Sequence, residues 1–170
     1  ICFTDMNQPL GNTAGIWCEV LESIECLKGN GPSDLMQVVY HLGQKALEIA
    51  GIKNSEEKLK SNIKNGKALE KFEEMIIAHG GETEMLETPQ LHEPEFRKEI
   101  FAKEDGFIVE MDTLQLGQAV VQLGGGRIQK NDKIDYSTGI LFHKKIGEFI
   151  KKGAPLLEYF CSNSIKFEKG

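Results

Sequence analysis

Through most of the first eighty residues, apolar side chains recur every three or four positions; beyond residue 99 they turn to a two-residue rhythm. Val20, Leu21, Ile24 and Leu27 share one helical face, and Lys28-Gly29 supplies the stop. Asn30-Gly31-Pro32 reads as a turn. Ser33 is expected to cap a second helix, with Asp34 in its first turn, an apolar face of Leu35, Val38, Val39, Leu42, Ala46 and Ile49, and Gly51 after its last turn. Ser55-Glu56-Glu57 opens a third helix that ends near Asn65-Gly66. Ala68, Leu69, Phe72, Met75 and Ile76 mark a fourth, closed by Gly80-Gly81. Ahead of them the apolar run Ile1-Cys2-Phe3 predicts a strand that leads straight into a polar loop, Thr4-Asp5-Met6-Asn7-Gln8-Pro9-Leu10-Gly11. A single strand is too little sheet to cover four helices.

From Glu82 to Pro94 periodicity is lost and Glu, Thr, Pro and His dominate, as in a linker. Strands are then expected at Glu99 to Ala102 and Gly106 to Met111. Asp112 is a good N-cap for a helix through Leu123, ended by Gly124-Gly125-Gly126. Further strands are predicted from Ser137 to His143, from Ile146 to a tight turn at Gly153, and from Pro155 to Cys161. The fold class is α/β, with α+β character in parts. It divides into a mostly helical unit over 1–86, a linker over 87–98 and a second unit over 99–170 that can bury its own core.

Composition narrows the function classes. The 170 residues are 40% hydrophobic and 27% charged, ordinary for a globular protein. A net charge of −6 argues against nucleic acid as a partner, because phosphate contacts need a basic face. The pairs Lys144-Lys145 and Lys151-Lys152 read as a solvated edge. The four cysteines (2, 18, 26 and 161) lack C-x-x-C spacing. Cys18 and Cys26 on one helix would stand about 12 Å apart along its axis, too far for a disulfide. Reduced thiols in a cytoplasmic protein are the simplest reading. No apolar run reaches membrane-spanning length.

Oxygen-bearing side chains gathered where a strand ends are where ligands sit in open α/β sheets. Within the loop, Asp5 has two readings: a general base, or an Asx turn that organises the backbone. With no His or second carboxylate fixed beside it, the spacing favours the turn. Gly124-Gly125-Gly126-Arg127 suggests an anion cradle, but it follows a helix C-terminus, where the dipole repels anions, so a structural cap is favoured. His41, His143 and Trp17, the single tryptophan, have no partners arranged by sequence.

The loop 4–11, followed by Glu19-Val20-Leu21-Glu22 and Gly31-Pro32-Ser33-Asp34-Leu35, closely resembles the thymidine and pyrimidine-nucleoside phosphorylases. Gly106 to Met111, Asp112 to Arg127 and Asp135 to Gly139 follow the same family's C-terminal region in the same order. The resemblance implies the rear of a catalytic α/β domain followed by a small, hammerhead-like α/β domain. It implies a parent enzyme, a pentosyltransferase, that converts a pyrimidine nucleoside and phosphate to free base and pentose 1-phosphate. The family's Lys-x-Ser-x-Gly-Gly-x-Gly-Asp phosphate segment and its base-holding Arg, Ser and Lys are not matched here. No catalytic residue is therefore expected in this chain, which would be inactive alone. Carried over residue by residue, the backbone carbonyls of Leu10 and Thr13 and the carboxylate of Glu22 would ligate a potassium ion in the full-length parent; none is expected bound in this chain alone. The family often has Ala at the position of Thr13, a change a backbone ligand tolerates. The resemblance also implies a homodimer made through N-terminal helices outside the matched part. Two other readings stand beside it. One is a binding or scaffold module, since the segment from Lys145 to Leu157, with its Gly-x-x-x-x-x-Gly-x-Pro-Leu run, is similar to the barrel of biotinyl and lipoyl carriers but lacks their Met-Lys-Met. The other is a relative of the AMP phosphorylases.

Overall fold

The computed structural model describes residues 1–169. They form two compact units with a boundary inside one helix. The first takes residues 1–3 and 21–91, the second residues 4–20 and everything described from 92 onward. The mixed α/β class is the one expected.

The first unit contains helices and no strand among its described residues. It holds most of α1 (Trp17–Leu27), then α2 (Ser33–Ile49), α3 (Ser55–Lys64) and α4 (Lys67–Ala78). The predicted stops are in place: Gly29, Gly51, Gly66 and Gly80 all adopt positive φ, which glycine enters without steric cost. α2 packs on α3 and α3 on α4. Gly43 permits the first of these contacts, because a Cβ there would lie 3.0 Å from Leu59 Cδ1. None of these three helices has a fully buried residue, and Val39, Leu42, Ile49, Met75 and Ile77 remain exposed.

Three expectations for this region are corrected. Ile1-Cys2-Phe3 is not a strand, because an extended run needs a neighbour to bond with and none of the described residues pairs with it; Ile1 and Phe3 are fully exposed. Ser33 is the first helical residue rather than the cap. Pro32 takes the cap position, and the Asp34 carboxylate accepts from the Leu35 amide at 2.9 Å. The stretch after α4 is two short 3-10 turns, Thr83–Glu87 and Pro89–His92.

The second unit is built on a four-stranded antiparallel sheet, with strands β1 (Thr13–Gly15), β2 (Phe96–Phe101), β4 (Gly139–Phe142) and β6 (Pro155–Cys161) in the order β1-β4-β6-β2. β3 (Gly106–Phe107) and β5 (Phe149–Ile150) pair separately as a two-stranded ribbon. β1 was not predicted: Thr13-Ala14-Gly15 has no alternation, and it is a strand because β4 supplies its partners. That pairing also brings residues 4–20 into the second unit, whereas the sequence grouped them with the helices.

Two-residue alternation sets the core. Ile140 and Phe142 of β4 and Tyr159 and Cys161 of β6 point to one face, where α5 (Thr113–Val120) covers them with Leu116, Ala119 and Val120. Leu123, from the π-type turn that extends α5 to Gly125, completes the cluster, and Phe167 of α6 (Ser164–Lys169) packs against it. Asp112 caps α5 as expected, its carboxylate accepting from the Gln115 amide at 3.0 Å. On β6 the neighbouring Phe160 is buried too, with the Arg97 guanidinium 5.1 Å from its ring centroid.

Packing is very close at Gly139. A Cβ there would lie 2.6 Å from Cys18 Sγ and 2.7 Å from the Phe160 ring, so that helix α1 and strand β6 meet β4 with only a hydrogen between them. Gly139→Ala is therefore expected to destabilise the chain by about 1–3 kcal/mol through overpacking. Gly117, inside α5 with nothing within 4 Å of its would-be Cβ, should behave oppositely. Gly117→Ala is expected to stabilise by roughly 1 kcal/mol through helix propensity. Urea unfolding of both variants, followed by circular dichroism, checks the pair.

Candidate functional site

The polar loop ahead of β1 is held by the far end of the chain. Asp5 makes the Asx turn favoured from its spacing, its Oδ1 accepting from the Asn7 amide at 2.9 Å. Gln8 Oε1 accepts from the Ile146 amide at 2.9 Å, and the Met6 carbonyl accepts from the Thr113 hydroxyl at 3.2 Å. The Lys145 ammonium donates to the carbonyls of both Pro9 and Gly11. Gly11, at φ +75°, is buried and turns the chain toward β1, where the Asn12 carbonyl accepts from the Phe142 amide at 2.8 Å. Lys145 is thus not part of a solvated edge, as its run suggested. Its neighbour Lys144 is paired with Glu148 at 3.2 Å.

Of the three potassium ligands implied by resemblance, Leu10 lies in this loop and Thr13 opens β1, both in the second unit. Glu22 lies on α1 in the first unit. No cluster of three or more His, Cys, Asp or Glu side chains suited to a metal occurs among the described residues. A site here would rest on backbone oxygens. The loop fits that chemistry to the extent that two of its carbonyls already converge on one monovalent positive charge, and carbonyl oxygens are what a potassium ion exchanges for its hydration shell. Glu19, a turn before Glu22, is engaged within the second unit, its Oε1 accepting from the Gly15 amide at 2.8 Å.

Cys18 shares this neighbourhood. Burial, and after it the Glu19 carboxylate, pushes its thiol up to about 11, against weaker opposing bonds that include one to Thr13. It is therefore a packing group and not a nucleophile at neutral pH. All four cysteines are free thiols.

A second polar centre surrounds Asp135. Its Oδ1 accepts from the Ser137 amide at 3.0 Å and the Ser137 hydroxyl at 2.5 Å, and its Oδ2 from the Ser162 amide at 2.7 Å. The Asp135 amide in turn donates to the Gly124 carbonyl at 2.9 Å. One residue thus ties the turn after α5 through its amide, and the entry to β4 and the exit of β6 through its carboxylate. Gly124 stands at φ +119°, and a Cβ on Gly125 or Gly126 would strike Val120 or Val121. The triple glycine is a closed turn, as favoured from its place after a helix.

Trp17 is buried, its ring centroid 5.2 Å from that of His92 in an edge-on contact, and His92 lies 5.4 Å from Tyr136. His41 lies in the first unit, with a ring nitrogen 3.5 Å from Cys2 Sγ. Sequence reasoning missed these three contacts, and it also missed a cavity of about 520 Å³ against β4 and β6. Ile108, Met111, Leu116, Phe142 and Leu157 are among the residues that line it. Of the charged residues at its edge, Asp112 accepts from the Gln115 amide and from Gln115 Nε2 at 2.8 Å; Glu110 and Lys144 also line it.

Residues 107–169 match the family described as the pyrimidine nucleoside phosphorylase C-terminal domain. The similarity extends well upstream of that segment. The pyrimidine-nucleoside phosphorylase of Bacillus subtilis (strain 168) is 37% identical over 164 residues, 94% of this chain and 38% of that protein. That of Staphylococcus epidermidis (strain ATCC 12228) is 39% identical over 159 residues, 91% of this chain and 37% of that protein. The chain belongs to the pyrimidine-nucleoside phosphorylase family, matching its C-terminal portion. It spans less than two-fifths of the length of the curated relatives it matches. In this family member the matched C-terminal segment carries α5, the Asp135 centre and the β4–β6 ladder. The loop clamped by Lys145 precedes that segment in sequence and joins it in space.

The Asp135 centre gives a pH-dependent expectation. Burial opposes ionisation of its carboxyl, but the Ser137 hydroxyl and the Ser162 and Ser137 amides outweigh it and hold the pKa below the ordinary aspartate value. Because the folded value is the lower one, the stabilisation is fully present above the unfolded value near ~4 and lost as pH falls through the folded value. Asp135→Ala should cost about 1–3 kcal/mol at pH 7 through lost charge-assisted bonds. The difference from the parent chain should shrink on acidification below pH ~4, as measured by urea titrations across that range.

Proposed function

We propose that the protein bearing this sequence is a pyrimidine-nucleoside phosphorylase, a pentosyltransferase that cleaves a pyrimidine nucleoside with inorganic phosphate. The observation that carries this reading is identity of 37–39% to proteins of that name over more than nine-tenths of the chain. In the proposed reaction a phosphate oxygen bonds to C1′ of the pentose while the glycosidic C1′–N bond breaks. The electron pair leaves with the base, which is then protonated. Such a reaction depends on holding two reactants in line and stabilising charge as the sugar becomes cation-like.

This chain's part is positioning. Leu10 and Thr13 would offer backbone carbonyls, and Glu22 its carboxylate, to a potassium ion, a hard cation suited to oxygen donors. When bound, that ion would supply positive charge to the site. The Asx turn at Asp5, the Gln8–Ile146 bond and the Lys145 clamp hold the loop that presents the two carbonyls. Phosphate and base contacts belong, on this reading, to sequence outside the chain, so the chain alone does not turn over. A cytoplasmic, homodimeric enzyme is the accompanying proposal; no helix among the described residues is long and apolar enough to cross a membrane.

Two measurements test the reading. The isolated 170-residue chain should release no base from thymidine or uridine in a phosphate-dependent assay, and turnover above background would overturn the assignment of the missing contacts. In the full-length protein, Glu22→Gln should raise the potassium concentration for half-activation severalfold, since it keeps shape and removes charge. An unchanged potassium dependence would leave Glu22 as a solvated helix residue.

A further inference from the structure

Lys145 is separated from Pro9 by 136 residues and from Gly11 by 134, yet its ammonium donates to both carbonyls. The contact is partly buried, which sets it apart from the exposed Lys–Glu pairs of α1, α2 and α3. The next amide, Ile146, is bonded to Gln8 Oε1 at 2.9 Å. Two consecutive residues of the late chain therefore grip both ends of the Gln8-Pro9-Leu10-Gly11 turn. A lysine that loses mobility and part of its hydration in this way must recover the energy from its acceptors. Paired carbonyls around one charge are the means by which backbone holds a monovalent cation.

We propose that Lys145 is a positioning residue, a built-in monovalent cation whose ammonium gathers the Pro9 and Gly11 carbonyls and so sets the turn from which Leu10 and Thr13 offer theirs. The last clause rests on the potassium reading above; the clamp itself does not. Lys145 thereby couples the loop to the segment between β4 and β5, and the loop's conformation depends on a charge supplied from that segment. Neither Lys144, paired with Glu148, nor Gln8, a neutral acceptor, supplies it.

Amide hydrogen exchange of the isotopically labelled 170-residue chain tests the proposal. The Ile146 amide reports on the clamp, and the Leu141 and Phe160 amides, which face each other's strand in the β4–β6 ladder, report on the fold. In Lys145→Ala, Ile146 exchange should rise at least tenfold while Leu141 and Phe160 stay protected. Ammonium chloride, a small cation with N–H donors, should restore Ile146 protection; choline chloride at equal ionic strength should not. Lys145→Met, which keeps the side-chain volume, should loosen Ile146 without disturbing the ladder, and Lys144→Met should leave Ile146 unchanged. Ile146 protection equal to the parent chain's in Lys145→Met, or equal rescue by ammonium and choline, would overturn the proposal. Failure of the potassium reading shows elsewhere, as an unchanged potassium dependence of the full-length Glu22→Gln protein, with the Lys145 results unaffected.

Discussion

The ladder between β4 and β6 is the constraint on which the second unit depends. It pairs Gly139 with Phe160 and Ile140 with Tyr159, and it sends Ile140, Phe142, Tyr159 and Cys161 into one apolar cluster. Both outer strands hang on it, β1 on β4 and β2 on β6. Because Gly139 has no side chain, Cys18 and Phe160 can approach β4 closely, and the start of α1 is seated there. Closing so tight a junction with a glycine and a thiol leaves no room for relaxation, as in any close-packed interior.

Around that ladder, charged groups do local work at the ends of elements. Asp135 bonds three donors from two segments and fixes how the turn after α5 enters β4 and how β6 leaves the sheet. Lys145 performs the complementary task with a positive charge and two carbonyls. In each case one ionised side chain satisfies backbone or hydroxyl groups that irregular segments cannot pair among themselves. The loop that the family reading makes functional is thus shaped by contacts over a hundred residues distant, which accounts for its order without regular structure.

The first unit is organised differently. Its helices stop where glycines allow positive φ and pack in sequence order, α2 on α3 and α3 on α4. Most of their apolar faces stay partly open, with Val39, Leu42 and Met75 each close to half exposed. Helical stability in water comes chiefly from burying such a face. These helices bury no residue completely, as the scarcity of strand signals in the first eighty residues led one to expect.

Local chemistry was legible in the residues themselves. Helix ends followed from Gly29, Gly51, Gly66 and Gly80, the α5 cap from Asp112, the Asx turn from Asp5, and β6 from Pro155 to Cys161, because each depends on neighbours a few residues away. Family membership was legible in the loop 4–11 and in the order of motifs after it. What only the tertiary structure decided were interactions between distant residues. Ile1-Cys2-Phe3 has strand composition but no partner strand, whereas Thr13-Ala14-Gly15 has poor composition and becomes β1 because β4 lies beside it. Lys145 reads as half of a solvated pair until the loop's carbonyls come within its reach. A backbone acceptor leaves no mark in sequence, since every residue carries the same carbonyl, and only folding determines which of them meet a charge.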